Sequence, residues 1–171
     1  NSLFTPHFTD IDETYIEKVT GIRQRRWVVE ETTSDMAFEA AKEALSNSGL
    51  TADDLDMIIL ATTTADMPLP ASACMVQQKL GCREIPSFDI QAACSGWLYG
   101  LSIAQAYLKA GMYKNILVVA SETMSKFTDQ TDRATAFLFG DGAGAAIVSS
   151  EAIGHELTDI VLQSDSSGYD I

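Results

Sequence analysis

Among the 171 residues, the group best placed for covalent chemistry is Cys94. It lies in Phe88-Asp89-Ile90-Gln91-Ala92-Ala93-Cys94-Ser95-Gly96, where a short apolar stretch runs into small residues, then Cys, then Ser-Gly and a long amphipathic run. That order puts Cys94 at a strand-to-helix turn, at or just before a helix amino terminus. The thiolate is the nucleophilic form of cysteine, and the unpaired N–H groups and positive dipole end of a helix favour the anion there. Ala92, Ala93 and Gly96 leave room for a bulky acyl group, and the Cys94 N–H is free to stabilise a thioester oxyanion. Spacing alone leaves a buried structural cysteine, the usual fate of free Cys, as an equal alternative.

The other candidates carry less. Cys74 falls on a helix face and Cys82 just after Gly81, so both are expected to be structural. An odd number of cysteines without CxxC spacing gives neither a disulfide framework nor a zinc site, and a reducing cytoplasm fits best. Arg23, Arg25 and Arg26 follow the turn Thr20-Gly21 and read equally well as a solvated strand end or an anion contact. His7 and His155 lie in polar segments, where surface or packing roles are expected. The Gly-rich stretch Phe139-Gly140-Asp141-Gly142-Ala143-Gly144-Ala145 would need a helix after it to cradle a phosphate. An Ala-Ile-Val strand pattern follows instead, so its glycines indicate close backbone packing or a tight turn.

Composition removes whole classes of function. A net charge of −13, with no Lys/Arg stripe, argues against a nucleic-acid partner. No apolar run approaches the ~18 residues of a membrane span, and no basic-then-apolar leader opens the chain. A soluble, cytoplasmic protein with a real α/β core is expected.

The elements that must hold Cys94 alternate between strand and helix. Ser34 can cap a helix with apolar positions Ala37, Phe38, Ala41, Ala44 and Leu45, ending at Gly49. Residues 57–61 form a continuous apolar run, as in a strand buried on both faces. A helix is predicted over 70–80, a strand over 87–93, a long helix over 95–110 and a strand over 115–120. Residues 143–148 and 157–163 are predicted as further strands joined by short turns, extending the sheet by a hairpin. Both ends of the chain look cut, so a fragment of a longer enzyme is expected.

Taken together, these segments resemble β-ketoacyl-acyl-carrier-protein synthase III and its relatives, condensing enzymes of the thiolase superfamily. The resemblance is carried by Thr20-Gly21-Ile22-Arg23-Gln24-Arg25, Ala61-Thr62-Thr63-Thr64, Asp89 to Gly96, Asp129-Gln130-Thr131-Asp132-Arg133-Ala134-Thr135 and Phe139 to Ala145. These recur in the family's order across nearly the whole chain. The resemblance implies an α/β thiolase-like fold: one αβα half of an αβαβα architecture, with a mixed sheet and a buried helix after the nucleophile. Residues 1–171 would be the amino-terminal half-domain, without the family's first strand and its carboxy-terminal half.

The resemblance also implies a mechanism and a site. Cys94 matches the cysteine that takes an acyl group from acyl-CoA. Malonyl-acyl-carrier protein then loses CO2, and its carbanion attacks the thioester to give a β-ketoacyl product, as in the initiation of fatty-acid biosynthesis. No cofactor is expected, acyl-CoA being a substrate. The His and Asn that assist decarboxylation belong to the other half of the family's fold, and neither His7 nor His155 matches that His. Arg133 matches a residue that stacks on the CoA adenine opposite a tryptophan, whose place is taken here by Tyr15. An arginine near the CoA phosphates is replaced by Val19. Thr63, Met124 and Phe139 match acyl-pocket positions, and Leu69 matches a Phe that reaches across a homodimer into the partner's pocket. Two alternatives stand beside condensation: an acyltransferase of the same fold making an ester or amide in specialised metabolism, and a non-catalytic half-domain that pairs with another subunit.

Overall fold

The computed structural model describes residues 1–8, 10–151 and 155–168. Its centre is a four-stranded mixed sheet of β1 (Met57–Ala61), β2 (Ser87–Ile90), β3 (Asn115–Thr123) and β4 (Asp141–Ser149), in the order β2-β1-β3-β4. β1 pairs in parallel with β2 and β3, while β4 runs antiparallel to β3. All five residues of β1 are buried, as a strand flanked on both edges and covered on both faces requires.

Helices cover both faces. On one side, Ala37, Ala41, Ala44 and Leu45 of α2 (Thr33–Ser48) and Ala73 and Val76 of α3 (Ser72–Leu80) pack on Ile58, Leu60, Leu117 and Val119. On the other side, Leu101 and Ala104 of α4 (Gly96–Lys109) pack on Met57, Ile59, Ile116 and Val118. Alternate residues of β1 and β3 therefore feed two separate cores, and the architecture is an αβα sandwich.

α4 lies unusually close to the sheet because glycine permits it. A Cβ on Gly100 would stand 2.9 Å from Val118 Cγ1, and one on Gly96 would stand 3.0 Å from the Ala61 Cβ. Gly96, Gly100, Leu101 and Ala104 form the buried stripe, which is the expected helix after the cysteine. Leu98, on another side of α4, is 46% exposed.

A satellite cluster forms where the sequence predicted only loop. The helix α1 (Glu13–Thr20) begins at Asp12, whose side chain accepts from the Tyr15 N–H, and ends at Gly21 in the left-handed region. Its buried Ile16 joins Phe4, Phe8, Ile11, Ala136 and Phe137, with Trp27 packed against them. The capping chemistry of Asp12 and Gly21 was present in the sequence, but one buried apolar residue gives almost no helical periodicity.

Several predicted boundaries move for identifiable reasons. α2 is capped by Thr32, not Ser34: Thr32 and Asp35 bond reciprocally in a capping box. α3 starts at Ser72 rather than at Pro70, because its first amides are held from outside the helix. β2 stops at Ile90, and the chain then turns toward α4. Residues 157–163 form no strand. They run along α4 instead, with Leu157 and Ile160 on its core and Gln105 Nε2 donating to the Leu157 carbonyl at 2.6 Å.

Candidate active site

The carboxyl ends of β1, β2 and β3 and the start of β4 lie on one edge of the sheet, because β4 runs opposite to the others. Thr63 follows β1, Cys94 follows β2, Met124 follows β3 and Phe139 precedes β4. Four residues far apart in sequence thus share the edge where open α/β sheets bind ligands.

Cys94 sits in a single 3-10 turn, Ala93–Ser95, that runs directly into α4. Its side chain is exposed. Ala93, immediately before it, has φ 45° and is the sole non-glycine with positive φ among the described residues. An L-residue in this region costs of order 1 kcal/mol or more, and such strain persists only where surrounding structure over-determines it. Here the Thr62 N–H donates to the Ile90 carbonyl at 3.1 Å on one side of the turn, and Gly96 abuts Ala61 on the other. Both anchors come from the end of β1. Cys94 is thus exposed, where the structural alternative expected a buried thiol.

The other cysteines differ from expectation in one respect. Cys82 is half-buried, and burial pushes its thiol above the ordinary cysteine range. Cys74, expected to be structural, is exposed on α3, with its Sγ 3.5 Å from the Ser87 carbonyl.

Thr63 is held by a carboxylate that sequence reasoning missed. Glu122, in β3, accepts from the Thr63 N–H at 2.7 Å, the Thr63 hydroxyl at 3.0 Å and the Thr64 hydroxyl at 2.5 Å. Beneath it, the buried Thr33 hydroxyl donates to the Thr64 carbonyl at 2.5 Å and lies 3.0 Å from the Thr123 hydroxyl. This network closes the loop after β1 onto β3. The available signal was a charged residue near the end of a strand with an apolar centre, together with a run of three threonines after β1.

Leu69 is 84% exposed, at the outer part of the segment between β1 and α3. Phe139 is 38% exposed, and its carbonyl accepts from Trp27 Nε1 at 3.2 Å. The Gly-rich stretch behind it packs as expected at one position: a Cβ on Gly140 would meet the Arg25 Cβ at 3.0 Å and the Arg26 carbonyl at 3.3 Å. Gly142 and Gly144 meet nothing within 4 Å, so close packing does not explain them. Asp141 staples this stretch, accepting from the Val28 N–H and the Ser125 N–H, each at 2.8 Å.

Tyr15 and Arg133 form a second group, on α1 and on the long loop between β3 and β4. Arg133 Nη2 and Nε bond to Asp10 Oδ2 at 2.7 and 3.1 Å. The Asp10 carboxylate, with a smaller contribution from the neighbouring Tyr15 hydroxyl, raises the Arg133 guanidinium above its ordinary range. Arg133 in turn lowers Asp10. The structure therefore brings Tyr15 and Arg133 together, and adds Asp10 to the pair. Val19 is 53% exposed on the same helix as Tyr15.

The basic cluster divides. Arg23 pairs with Glu17 at 2.6 Å, while Arg25 lies over the Phe4 ring at 5.0 Å and donates to Asn1 Oδ1. His7 and His155 are both exposed. Among the described residues, no group of three or more His, Cys, Asp or Glu is arranged to hold a metal, and no helix is long and apolar enough to cross a membrane. A groove of about 1580 Å³ lies between α2 and β4 and is lined by none of Tyr15, Thr63, Leu69, Cys94, Met124, Arg133 and Phe139.

A mixed sheet between helical layers, with a cysteine at the turn from β2 into α4, defines a thiolase-like fold. The 3-oxoacyl-[acyl-carrier-protein] synthase III of Aquifex aeolicus VF5 superposes with a TM-score of 0.82 at 46% identity, covering 84% of this chain and 47% of that one. The corresponding Pseudomonas aeruginosa PAO1 structure gives 0.86 at 34% identity, covering 99% and 53%. Residues 88–166 match the family 3-Oxoacyl-[acyl-carrier-protein (ACP)] synthase III. A β-ketoacyl-[acyl-carrier-protein] synthase III of Staphylococcus haemolyticus is 48% identical over 162 residues, 94% of this chain and 52% of the relative. Along almost its whole length the chain is similar to β-ketoacyl-acyl-carrier-protein synthase III enzymes, and it spans about half the length of the curated relatives it matches.

Proposed function

We propose that this chain supplies the acyl-accepting half of a condensing enzyme, with Cys94 as the nucleophile. The observation that carries the reading is the exposed Cys94 on a strained turn at the amino end of α4, on the same sheet edge as Thr63, Met124 and Phe139. Sulfur attacks the thioester carbonyl of acyl-CoA, the Cys94 amide N–H stabilises the oxyanion, and CoA leaves as its thiol. The donor's adenine lies between Tyr15 and Arg133, the latter held in place by Asp10. Thr63, Met124 and Phe139 line the acyl chain, and Leu69, being exposed, projects toward a second copy in a homodimer.

The second substrate is malonyl-acyl-carrier protein, and the product is a β-ketoacyl chain on the carrier. The chemistry needs no cofactor, because CoA arrives and departs with the substrate. Residues 1–171 form the amino-terminal half-domain of that enzyme, acting in the cytoplasm.

The deciding experiment is intact-mass measurement after incubation with acyl-CoA donors. One acyl adduct is expected, absent in Cys94→Ala and retained in Cys74→Ala and Cys82→Ala. An adduct that persists in Cys94→Ala overturns the assignment.

A further inference from the structure

The strained turn at Cys94 needs an anchor on its own strand, and one carboxylate stands in that position. Asp89 is in β2, five positions before the cysteine, and pairs in register with Leu60 of the central strand β1. Its two oxygens are spent outside the strand. Oδ2 accepts from the Ser72 N–H and Oδ1 from the Ala73 N–H, both at 2.8 Å. These are the first two amides of α3, whose own N-cap position, Ala71, offers no side-chain oxygen. Asp89 is therefore the cap of a helix to which it does not belong.

The connection continues away from the cysteine. The hydroxyl of the fully buried Ser72 accepts from the Asp66 N–H at 2.9 Å, and Asp66 Oδ1 accepts from the Ser34 N–H in the first turn of α2. A line of charge-assisted and neutral hydrogen bonds thus ties the β2 end to the amino ends of two helices on one face of the sheet. Across the sheet, Thr62, which donates to the Ile90 carbonyl, and Ala61, which abuts Gly96, hold the turn from the β1 side. The positive φ of Ala93 falls between these anchors and α4.

We propose that Asp89 is a positioning residue for Cys94: by binding the amino end of α3, its carboxylate fixes the strand end from which the strained Ala93–Cys94 turn departs. The cysteine is then held at the amino end of α4 before any substrate arrives. Without Asp89, β2 loses its tie to α3, Ala93 relaxes to negative φ, and the thiol spends less time in the exposed position that the strained turn gives it at the start of α4. The idea takes from the functional reading only that Cys94 is the reacting group.

The test uses alkylation of Cys94 by iodoacetamide at neutral pH on the full chain, followed by peptide mass, with glutathione in the same solution as the reference thiol. Asp89→Ala is expected to slow Cys94 alkylation about three- to tenfold, the population change that release of a strained turn of this kind allows. Glycine adopts positive φ without steric cost, so Ala93→Gly in the Asp89→Ala background is expected to restore the rate to within about twofold of the parent. The lowered Tm of Asp89→Ala should remain in the double variant, because the α3 amides are still unsatisfied. Should Asp89→Ala fail to fold, Asp89→Asn keeps one acceptor oxygen and carries the same comparison. A fall in Tm with an unchanged Cys94 rate overturns the proposal and leaves Asp89 as a helix cap only. A slowed rate that Ala93→Gly does not recover also overturns it. Alkylation requires no acyl donor, so failure of acyl transfer in the parent chain would remove the proposed function and leave this result standing.

Discussion

At the scale of single residues, the site is a set of side chains whose neighbours matter as much as their identities. Arg133 is the clearest case. A surface ion pair such as Arg133–Asp10 is screened by solvent and contributes little to stability, yet it fixes the plane of a guanidinium beside Tyr15. Stacking or cation–π contact with an adenine is worth ~0.5–2 kcal/mol, so Arg133→Ala is expected to raise the acyl-CoA KM for Cys94 acylation by up to about thirtyfold. The acylation rate at saturating donor should hardly change, and progress curves over a donor series would show it. An unchanged KM points to a carrier-protein donor instead. Leu69 poses the complementary question of size. If its exposed side chain closes part of an acyl pocket, Leu69→Phe should shift preference from hexanoyl- and octanoyl-CoA toward acetyl-CoA by about tenfold. Competition among the three donors, read by adduct mass, checks this, and an unchanged profile removes Leu69 from the pocket.

At the scale of elements, α4 is held by its glycines and α2 by its cap. Gly100→Ala adds a methyl 2.9 Å from Val118 Cγ1. Overpacking of this kind costs ~1–3 kcal/mol, against at most ~1 kcal/mol of improved helix propensity. Urea unfolding should therefore show a net loss of up to ~2 kcal/mol; a gain would mean that α4 can move off the sheet freely. For α2, Thr32→Ala removes one half of the capping box, and a loss of ~1 kcal/mol is expected from the same measurement. The outer side of α4 is a different matter, because Leu98 stays open while Leu157 and Ile160 cover only part of the helix.

At the scale of the whole molecule, the strong acidity sets the response to pH. Asp35 receives hydrogen bonds from Lys79 and from the Thr32 N–H and hydroxyl, which hold its carboxyl at about 2 against an ordinary 3.8. A carboxyl depressed on folding adds stability above its unfolded value, and that contribution is lost as pH falls through the folded one. The contribution of Asp35 should thus be complete above about pH 5 and gone only below about pH 1, and it is modest because the pair is partly exposed. Denaturation of Asp35→Asn and of the parent should converge at the acid end of that window. Function has a whole-molecule limit as well. His7 and His155 are both exposed and neither lies at the sheet edge, so the chain alone is expected to accept an acyl group at Cys94 without forming β-ketoacyl product from malonyl-acyl-carrier protein. Product made by the purified chain would overturn that expectation.

Much of this protein was legible in its sequence, for a physical reason that also marks where legibility stops. The continuous apolar runs of β1 and β3, the 3.6-residue spacing of α2 and the small residues around Cys94 are local signals, and they placed the strands, the principal helices and the nucleophile's turn. Apolar periodicity is blind to α1, where a single buried residue leaves no stripe, and it misread 157–163, whose apolar residues face a helix rather than a sheet. The polar contacts that complete the site were out of reach altogether. Glu122 meets Thr63 across 59 positions, Arg133 meets Asp10 across 123, and Asp89 caps a helix that begins 17 residues earlier. Each depends on which strands lie side by side and which helix end reaches the sheet edge. Hydrogen bonds act over about 3 Å, so only the packed arrangement of the elements decides which donors and acceptors come within range.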